Sequence, residues 1–326
     1  MSGSTVRKSL IAPYINDLLA EKRAHGYVYA SEELVLNRFD TYCVENRLNT
    51  LEITRDFLSG WMERSDSEGE FNHGKRISCV RQLLLFMASC GIRVYIPHDF
   101  CHFKKALPHI FNLEEIEEFF SVLDSNQAAH HHSKGEARLA SEYSLIFRWY
   151  CCCGLRNSEA ADIAVENVDL EKGILTILDS KGNKDRLVYL PEDLRESSKE
   201  YFGYLVETLG FVPKWFFPGI KPEKPLPNTS IDNVFRRFWS RTKYADCNNR
   251  PTVHDFRFTF VVSRMNLWAE NDLDLQVMMP YLSRYLGHKS TNETMYYYYL
   301  VQDAYKTVNK KDTLAGDVIP EVVPYE

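Results

Sequence analysis

The segment from Gly173 to Leu190 constrains the fold most, because it is a clear strand signal in a chain whose other long segments have helical spacing. The run ILTIL at 174–178 places successive side chains on opposite faces of a strand, and the run LVYL at 187–190 returns after a polar turn. Two such runs around a short turn predict a β-hairpin. We therefore predict a mainly α fold with a small antiparallel β-sheet.

The rest of the chain predicts two domains. From about Leu10 to Phe103, apolar residues recur at helical spacing with few strand signals. The segment from Tyr95 to Pro108 contains prolines and has no period, which indicates a domain boundary. A chain of 326 residues with 44% hydrophobic residues is long enough for two cores. We predict a helical domain at 1–106, a second domain at 107–312 and an extended tail at 313–326.

Charge and composition exclude few classes of function. The net charge of −6 is a weak objection to a nucleic-acid partner, because a binding groove needs only a local basic stripe. The eight cysteines have no CxxC spacing, which favours reduced thiols, and His130–His132 has no ligand partner at helical spacing, so no metal site is predicted. No run approaches the roughly 20 apolar residues of a membrane span, so we expect a cytoplasmic protein without a membrane partner.

One helical segment of the first domain, residues 75–86, combines an apolar face with three cations. Its apolar side chains fall on one side at helical spacing and are predicted to face inward. The three cations are left mostly outward and are predicted to contact DNA: Lys75, Arg76 and Arg81. A solvated helix face is the alternative interpretation of the same residues.

An arginine occupies a predicted turn in the sequence GLRNSE at 154–159. Gly154 ends an apolar helix, and Asn157 or Ser158 can cap the next one. Arg156 therefore lies between two buried helices, where an arginine needs an anionic partner. The sequence thus indicates that this position binds an anion or a carboxylate.

Two segments near the C-terminus add polar groups suited to chemistry. Thr252 is a plausible cap, which places His254 and Arg257 at i and i+3 on one helix, where both can point at one group. His288 follows a predicted helix and precedes four consecutive tyrosines at 296–299. A phenol is a poor nucleophile near pH 7, because its reference pKa is about 10. An enzyme that attacks with tyrosine therefore needs cationic groups to stabilise charge elsewhere in the reaction.

In this order, the motifs resemble those of the tyrosine recombinase, or phage integrase, family. The resemblance covers roughly Pro108 to Leu300 and consists of GLRNSE, SKGNKDRLVYL, HDFR, and LSRYLGHKSTNET leading to a tyrosine. It implies an integrase-type catalytic domain. The N-terminal region resembles, more loosely, the family's helical core-binding domain, and no additional arm-binding domain is expected before it.

The resemblance implies double-stranded DNA as the substrate and assigns roles to the motif residues. Arg156, Arg257 and His288 would clamp the scissile phosphate, with His254 as a second donor or proton-transfer group. Arginine suits this task because its planar fork donates bidentately to phosphate oxygens. Tyr297 would attack phosphorus and form a 3′-phosphotyrosine link. Because this link conserves the energy of the phosphodiester, no metal, ATP or other cofactor is required.

Three of the assignments have local alternatives. Lys181 matches the family's hairpin lysine and would protonate the departing 5′ oxygen, with Lys184 as its rival. Tyr296 and Tyr299 are the alternatives to Tyr297. Glu159 occupies the family's acidic position and would brace the site, although a carboxylate at a helix N-terminus is an equally good interpretation.

The predicted function is site-specific DNA recombination by a homo-tetramer acting on two paired duplexes. The alternatives are a catalytically silent DNA-binding relative and a DNA-relaxing enzyme similar to type IB topoisomerases. The apolar but proline-broken segment 318–325 needs a surface to bury it. We predict that this tail docks onto a neighbouring protomer, with a tail that folds back or stays solvated as the alternative.

Overall fold

The computed structural model of the chain describes residues 6–98, 107–127, 133–178, 185–246, 250–288, 290 and 293–294. The chain splits into two compact units, Met1–Ala106 and Leu107–Glu326. Within the described ranges, no helix is long and apolar enough to cross a membrane. The described residues are mostly helical with one small sheet, which confirms the predicted fold class.

The described residues of the first unit form four helices: α1 (Ala12–Ala24), α2 (Ala30–Glu45), α3 (Arg55–Met62) and α4 (Glu70–Ser89). Its core is a single apolar cluster to which α1, α2, α3 and α4 all contribute, with Leu18, Phe39, Leu58 and Leu83 almost fully buried. The apolar stripe of α4 faces this core, as its spacing predicts.

The three cations of α4 are not equivalent. Lys75 is exposed, whereas Arg81 is half-buried and donates from Nε to the carbonyl oxygen of Pro97 at 3.0 Å. The prediction that Arg76 faces outward is wrong: its side chain is 11% exposed and pairs with Glu68 at 2.7 Å. Its guanidinium also lies 4.9 Å from the centre of the Trp61 ring. The Arg76 guanidinium binds the Glu68 carboxylate in the loop before α4 and also packs against the Trp61 ring of α3. Arg76 therefore connects this loop to α3.

The second unit is built on one central helix. Its helices are α5 (Leu113–Gln127), α6 (Lys134–Cys153), α7 (Asn157–Ala161), a short 3₁₀ turn (Val165–Asn167), α8 (Glu192–Leu209), α9 (Asn228–Trp239), α10 (Val253–Glu270) and α11 (Leu275–Leu286). Helix α6 packs against α5, α8 and α10. Large side chains of α6 such as Phe147, Trp149 and Tyr150 fill the core between these helices.

The predicted hairpin is present. Strands β1 (Val168–Asp169), β2 (Ile174–Ile177) and β3 (Arg186–Tyr189) form an antiparallel sheet in the order β1-β2-β3. Ile174 pairs with Tyr189 and Ile177 with Arg186. The turn at 179–184 lies outside the described residues.

Gly154 ends α6 at the point the sequence predicts. Its φ of +62° is a left-handed conformation that side chains rarely adopt, and a Cβ built there would lie 2.4 Å from Cδ1 of Phe260. The left-handed backbone and the close approach of Phe260 both require glycine at this position. The left-handed residue turns the chain from the end of α6 towards α7. This turn delivers Arg156 to the end of the central helix.

Candidate active site

Arg156 is held by a carboxylate and by a backbone carbonyl. It occupies the N-cap position of α7, and its backbone N–H donates to Glu159 Oε2 at 2.8 Å. Its guanidinium donates from Nη1 to Glu159 Oε1 at 2.6 Å and from Nη2 to the Gly287 carbonyl at 3.1 Å. The prediction that Asn157 or Ser158 caps α7 is wrong, because both residues lie inside the helix and Arg156 is its N-cap. The Glu159 carboxylate accepts from the backbone N–H of Arg156, as in a capping box.

Arg257 is buried where α6 and α11 end. Its side chain is 1% exposed, which is tolerable only if its donors find acceptors. Nη1 donates to the Gly154 carbonyl at 2.8 Å, and Nη2 donates to the Leu286 carbonyl at 2.6 Å. Nη1 also lies 3.8 Å from Glu159 Oε2. The fork is therefore fixed from two directions.

His288 lies against the guanidinium of Arg257. Its Nε2 is 3.2 Å from Arg257 Nη2, and its Nδ1 is 2.7 Å from Thr294 Oγ1. The imidazole therefore bridges the guanidinium of Arg257 and the hydroxyl of Thr294.

A fourth residue, Arg186, belongs to the same network, although it is absent from the predicted site. It opens β3, and its side chain is 6% exposed. Nη1 and Nη2 donate to the two oxygens of Glu159 at 2.9 and 2.6 Å, and Nε donates to the Tyr285 carbonyl at 2.7 Å. The signal in the sequence is a charged residue on the inward side of β3, in phase with buried Val188.

Three consecutive carbonyls at the end of α11 thus each accept from a different arginine. Tyr285 accepts from Arg186, Leu286 from Arg257 and Gly287 from Arg156. The last carbonyls of a helix lack partners within the helix and carry its partial negative charge, so they attract cations. The end of α11 is therefore the scaffold that gathers residues from α7, β3 and α10.

Glu159 is ionised at the centre of these cations. Burial alone raises the pKa of its carboxyl, but hydrogen bonds and charge from Arg186 and then Arg156 outweigh burial and lower the pKa to about 2. Three guanidinium groups against one carboxylate leave an excess of positive charge. Such a cluster suits a phosphate, whose oxygens match the planar forks of arginine.

His254 lies on α10 with Arg257, as predicted, but at a different depth. Its side chain is exposed, whereas Arg257 is buried. The ring of His254 packs edge-on against Phe258, with 5.1 Å between the ring centres. The i and i+3 spacing therefore places His254 and Arg257 on the same helix, although His254 is exposed and Arg257 is buried.

Several predicted site residues lie outside the described part of the chain: Lys181, its rival Lys184, Tyr297 and its alternatives Tyr296 and Tyr299. A cleft of about 910 Å³ opens between the start of β3 and the end of α11 and is lined by Asp185, Arg186, Tyr281, Arg284 and His288, among others. Across the described ranges, no group of three or more His, Cys, Asp or Glu side chains could hold a metal ion.

Comparison with known proteins identifies the family. The family model described as "Phage integrase family" matches residues 114–303. The tyrosine recombinase XerD of Proteus mirabilis is 22% identical over 314 residues, which cover 93% of this chain and 92% of XerD.

Two solved structures share the fold. The integrase of the Tn1549 transposon in complex with transposon right end DNA aligns with a TM-score of 0.60 and 14% identity, covering 87% of this chain and 94% of that one. A lambda integrase tetramer bound to a Holliday junction aligns with a TM-score of 0.59 and 14% identity, covering 89% and 76%. The family match spans more than half of the chain and contains the arginine network. The chain therefore belongs to the phage integrase family, whose members are tyrosine recombinases that cleave and rejoin DNA.

Proposed function

We propose that this recombinase holds one scissile DNA phosphate between Arg156, Arg257 and His288, with His254 as a second donor or proton-transfer group. The observation that carries the proposal is the gathering of the two arginine forks around Glu159 and beside His288. Forks fixed before the substrate arrives can stabilise charge that develops on the non-bridging oxygens of the phosphate without further reorganisation.

In the proposed reaction, the Tyr297 oxygen attacks phosphorus and gives its proton to His254, the proton-transfer group, while the bond from phosphorus to the 5′ oxygen breaks. Lys181 protonates that departing oxygen, and Lys184 is the alternative acid. The product is a 3′-phosphotyrosine link and a free 5′-hydroxyl. A 5′-hydroxyl from the partner duplex then attacks this link and releases the tyrosine. One phosphodiester replaces another, so the sequence of steps requires neither ATP nor a metal ion.

We further propose that the substrate is double-stranded DNA carrying specific sites and that four copies act on two paired duplexes in the cytoplasm. The similarity of the fold to the lambda integrase tetramer on a Holliday junction supports this assembly. Exchange between two duplexes requires four strand cleavages. A closed assembly of four identical subunits supplies one nucleophile for each cleavage.

The first unit is proposed to bind DNA through α4. The exposed ammonium group of Lys75 can approach a DNA phosphate directly. The guanidinium of half-buried Arg81 can do so if its side chain shifts slightly from the Pro97 carbonyl. Arg76 pairs with Glu68, and its contribution is proposed to be indirect, through the shape of the loop before α4.

Two assays on DNA that carries the recombination site test the function. Incubation with a nicked duplex is expected to trap a covalent protein–DNA adduct, because loss of a short 5′ fragment prevents rejoining. A silent DNA-binding relative would form no adduct. A two-site assay is then expected to yield recombinants, whereas a type IB topoisomerase-like enzyme would relax supercoils without exchanging strands.

The tail at 313–326 lies outside the described residues, and its docking onto a neighbouring protomer remains our proposal. Truncation after Asp312 is expected to abolish cooperative assembly on paired sites, because the apolar tail would no longer bridge protomers, while single-site binding is retained. Gel-shift titration on one-site and two-site DNA measures both properties. Normal synapsis and recombination by the truncated protein would rule out docking in trans.

A further inference from the structure

Arg186 joins three elements that carry the proposed phosphate clamp. It begins β3, binds Glu159 of α7 with both Nη atoms, and binds the Tyr285 carbonyl of α11 with Nε. The next two carbonyls of α11 hold Arg257 and Arg156. Movement of Arg186 would therefore affect both the carboxylate and the helix end that orient the clamp.

Glu159 is the group whose behaviour depends most on Arg186. A carboxylate has two oxygens and about four acceptor positions. Here Oε1 accepts from Arg156 and Arg186, while Oε2 accepts from Arg186 and from the backbone N–H of Arg156. Without Arg186, the carboxylate would turn more fully towards the two clamp arginines. A buried carboxylate with unfilled acceptor positions competes with phosphate for the same donors.

We propose that Arg186 is a positioning residue for DNA cleavage: by engaging Glu159 and the end of α11, it keeps the forks of Arg156 and Arg257 available to the phosphate. The inference rests on the proposed function of those two arginines. Arg186 is not assigned contact with the DNA. It acts through Glu159, and this indirect route has a consequence that a direct phosphate contact would not share.

The consequence is that loss of Glu159 should partly offset loss of Arg186. Arg186→Met leaves a buried carboxylate without its bidentate partner, and we expect adduct formation on nicked DNA to slow about 100-fold. Arg186→Met combined with Glu159→Gln removes the competing charge, and this double variant is expected to cleave about 10-fold faster than Arg186→Met alone. DNA affinity should change by less than about 3-fold in both, because binding depends mainly on contacts elsewhere.

The test is a single-turnover measurement of adduct formation on nicked DNA, with DNA affinity and thermal unfolding measured for each variant. Arg148→Met is the matched control, because Arg148 of α6 pairs with Asp124 of α5 at 2.7 Å and has no assigned role in cleavage. It should cleave at the wild-type rate. Arg186→Lys retains the charge without the fork, so it should fold and cleave about 10-fold more slowly than wild type.

The outcomes are distinct. Wild-type cleavage by Arg186→Met, or by Arg186→Lys if the Met variant does not fold, would overturn the positioning role. A double variant slower than Arg186→Met would show that the two residues act independently and would also overturn it. Failure of the wild-type protein to form any adduct would instead refute the proposed function.

Discussion

Two buried carboxylates of the second unit, Glu159 and Glu142, meet arginine in opposite ways. Glu159 is held among three arginines, and its pKa is lowered to about 2. Glu142 is fully buried on α6, and within the described part of the chain it forms an ion pair with one arginine, Arg138. Burial, the largest influence, raises the pKa of Glu142 well above its ordinary value despite that partner. Burial raises the pKa of both carboxyls, and only the cations around Glu159 outweigh it.

The two groups also differ in what they leave for a ligand. Arg138 donates to the carbonyls of Pro218 and Gly219, so its fork closes a loop onto α6. Among the residues that the structure describes, Glu142 Oε1 has no hydrogen-bond partner. The Glu142 pair is a self-contained brace. The Glu159 cluster has surplus positive charge and is suited to an incoming anion.

The largest expected effect is on the rate of DNA cleavage, when arginine is replaced by lysine in the Glu159 cluster and, for comparison, in the Glu142 pair. Arg257→Lys or Arg156→Lys should slow DNA cleavage by about 100-fold or more, because lysine cannot offer a planar fork to the phosphate. Arg138→Lys is the matched control and should leave cleavage within about 3-fold of wild type, since its fork only braces a loop. Single-turnover adduct formation measures both. Equal loss of cleavage in all three variants would remove the functional distinction between the groups.

The next effect is a difference in the pH dependence of stability. The folded-state pKa of Glu159, about 2, lies below its ordinary value of 4.5, so ionised Glu159 stabilises the fold above about pH 4.5. This contribution, about 3 kcal/mol, is lost as pH falls from 4.5 towards 2. Glu159→Gln should therefore lower the free energy of unfolding at pH 7 and converge with wild type as pH falls through that window.

Glu142→Gln should show the opposite trend. Its raised folded-state pKa means that the wild-type fold loses stability as pH rises above the ordinary value of 4.5. Removing the titratable group should flatten this loss, so the free energy of unfolding of the variant should gain on wild type from pH 4.5 upwards. Urea titrations across pH measure both variants. Parallel curves for the two substitutions would contradict the opposite directions of the two pKa shifts.

The smallest expected effect concerns the third pair, Arg76 with Glu68 in the first unit. This pair is partly exposed, and the hydrogen bond from Arg76 lowers the pKa of Glu68. Arg76→Ala should cost about 1 kcal/mol of stability and leave the salt dependence of DNA binding unchanged. Lys75→Ala should reduce the slope of log affinity against log salt by about one unit without affecting stability. An unchanged slope would favour a solvated face for Lys75.

The sequence was most informative where local rules act. Gly154, the hairpin and the helices on either side of Arg156 were predicted from turn chemistry and spacing, and the structure contains them. The motif order also placed Arg156, Arg257 and His288 in one group, and the structure brings them together. These features need little knowledge of distant contacts.

The predictions were wrong or incomplete where a charged side chain binds a partner on another structural element. Alternation along β3 places Arg186 on the inward side, but it does not identify Glu159 and Tyr285 as partners, because both lie far away in the sequence. Arg76 was placed outward because Glu68 belongs to the preceding loop and Trp61 to another helix. In each case a charged side chain binds a carboxylate that spacing alone does not identify.

Mapping the covalent adduct tests the proposed chemistry most directly. Wild-type protein is incubated with nicked DNA, digested with protease, and the DNA-linked peptide is identified by mass spectrometry. We expect the link on Tyr297 and no adduct from Tyr297→Phe, while that variant binds DNA with unchanged affinity, because the hydroxyl is needed for attack and contributes little to binding. An adduct of normal yield from Tyr297→Phe, or a link mapped to Tyr296 or Tyr299, would contradict the assignment.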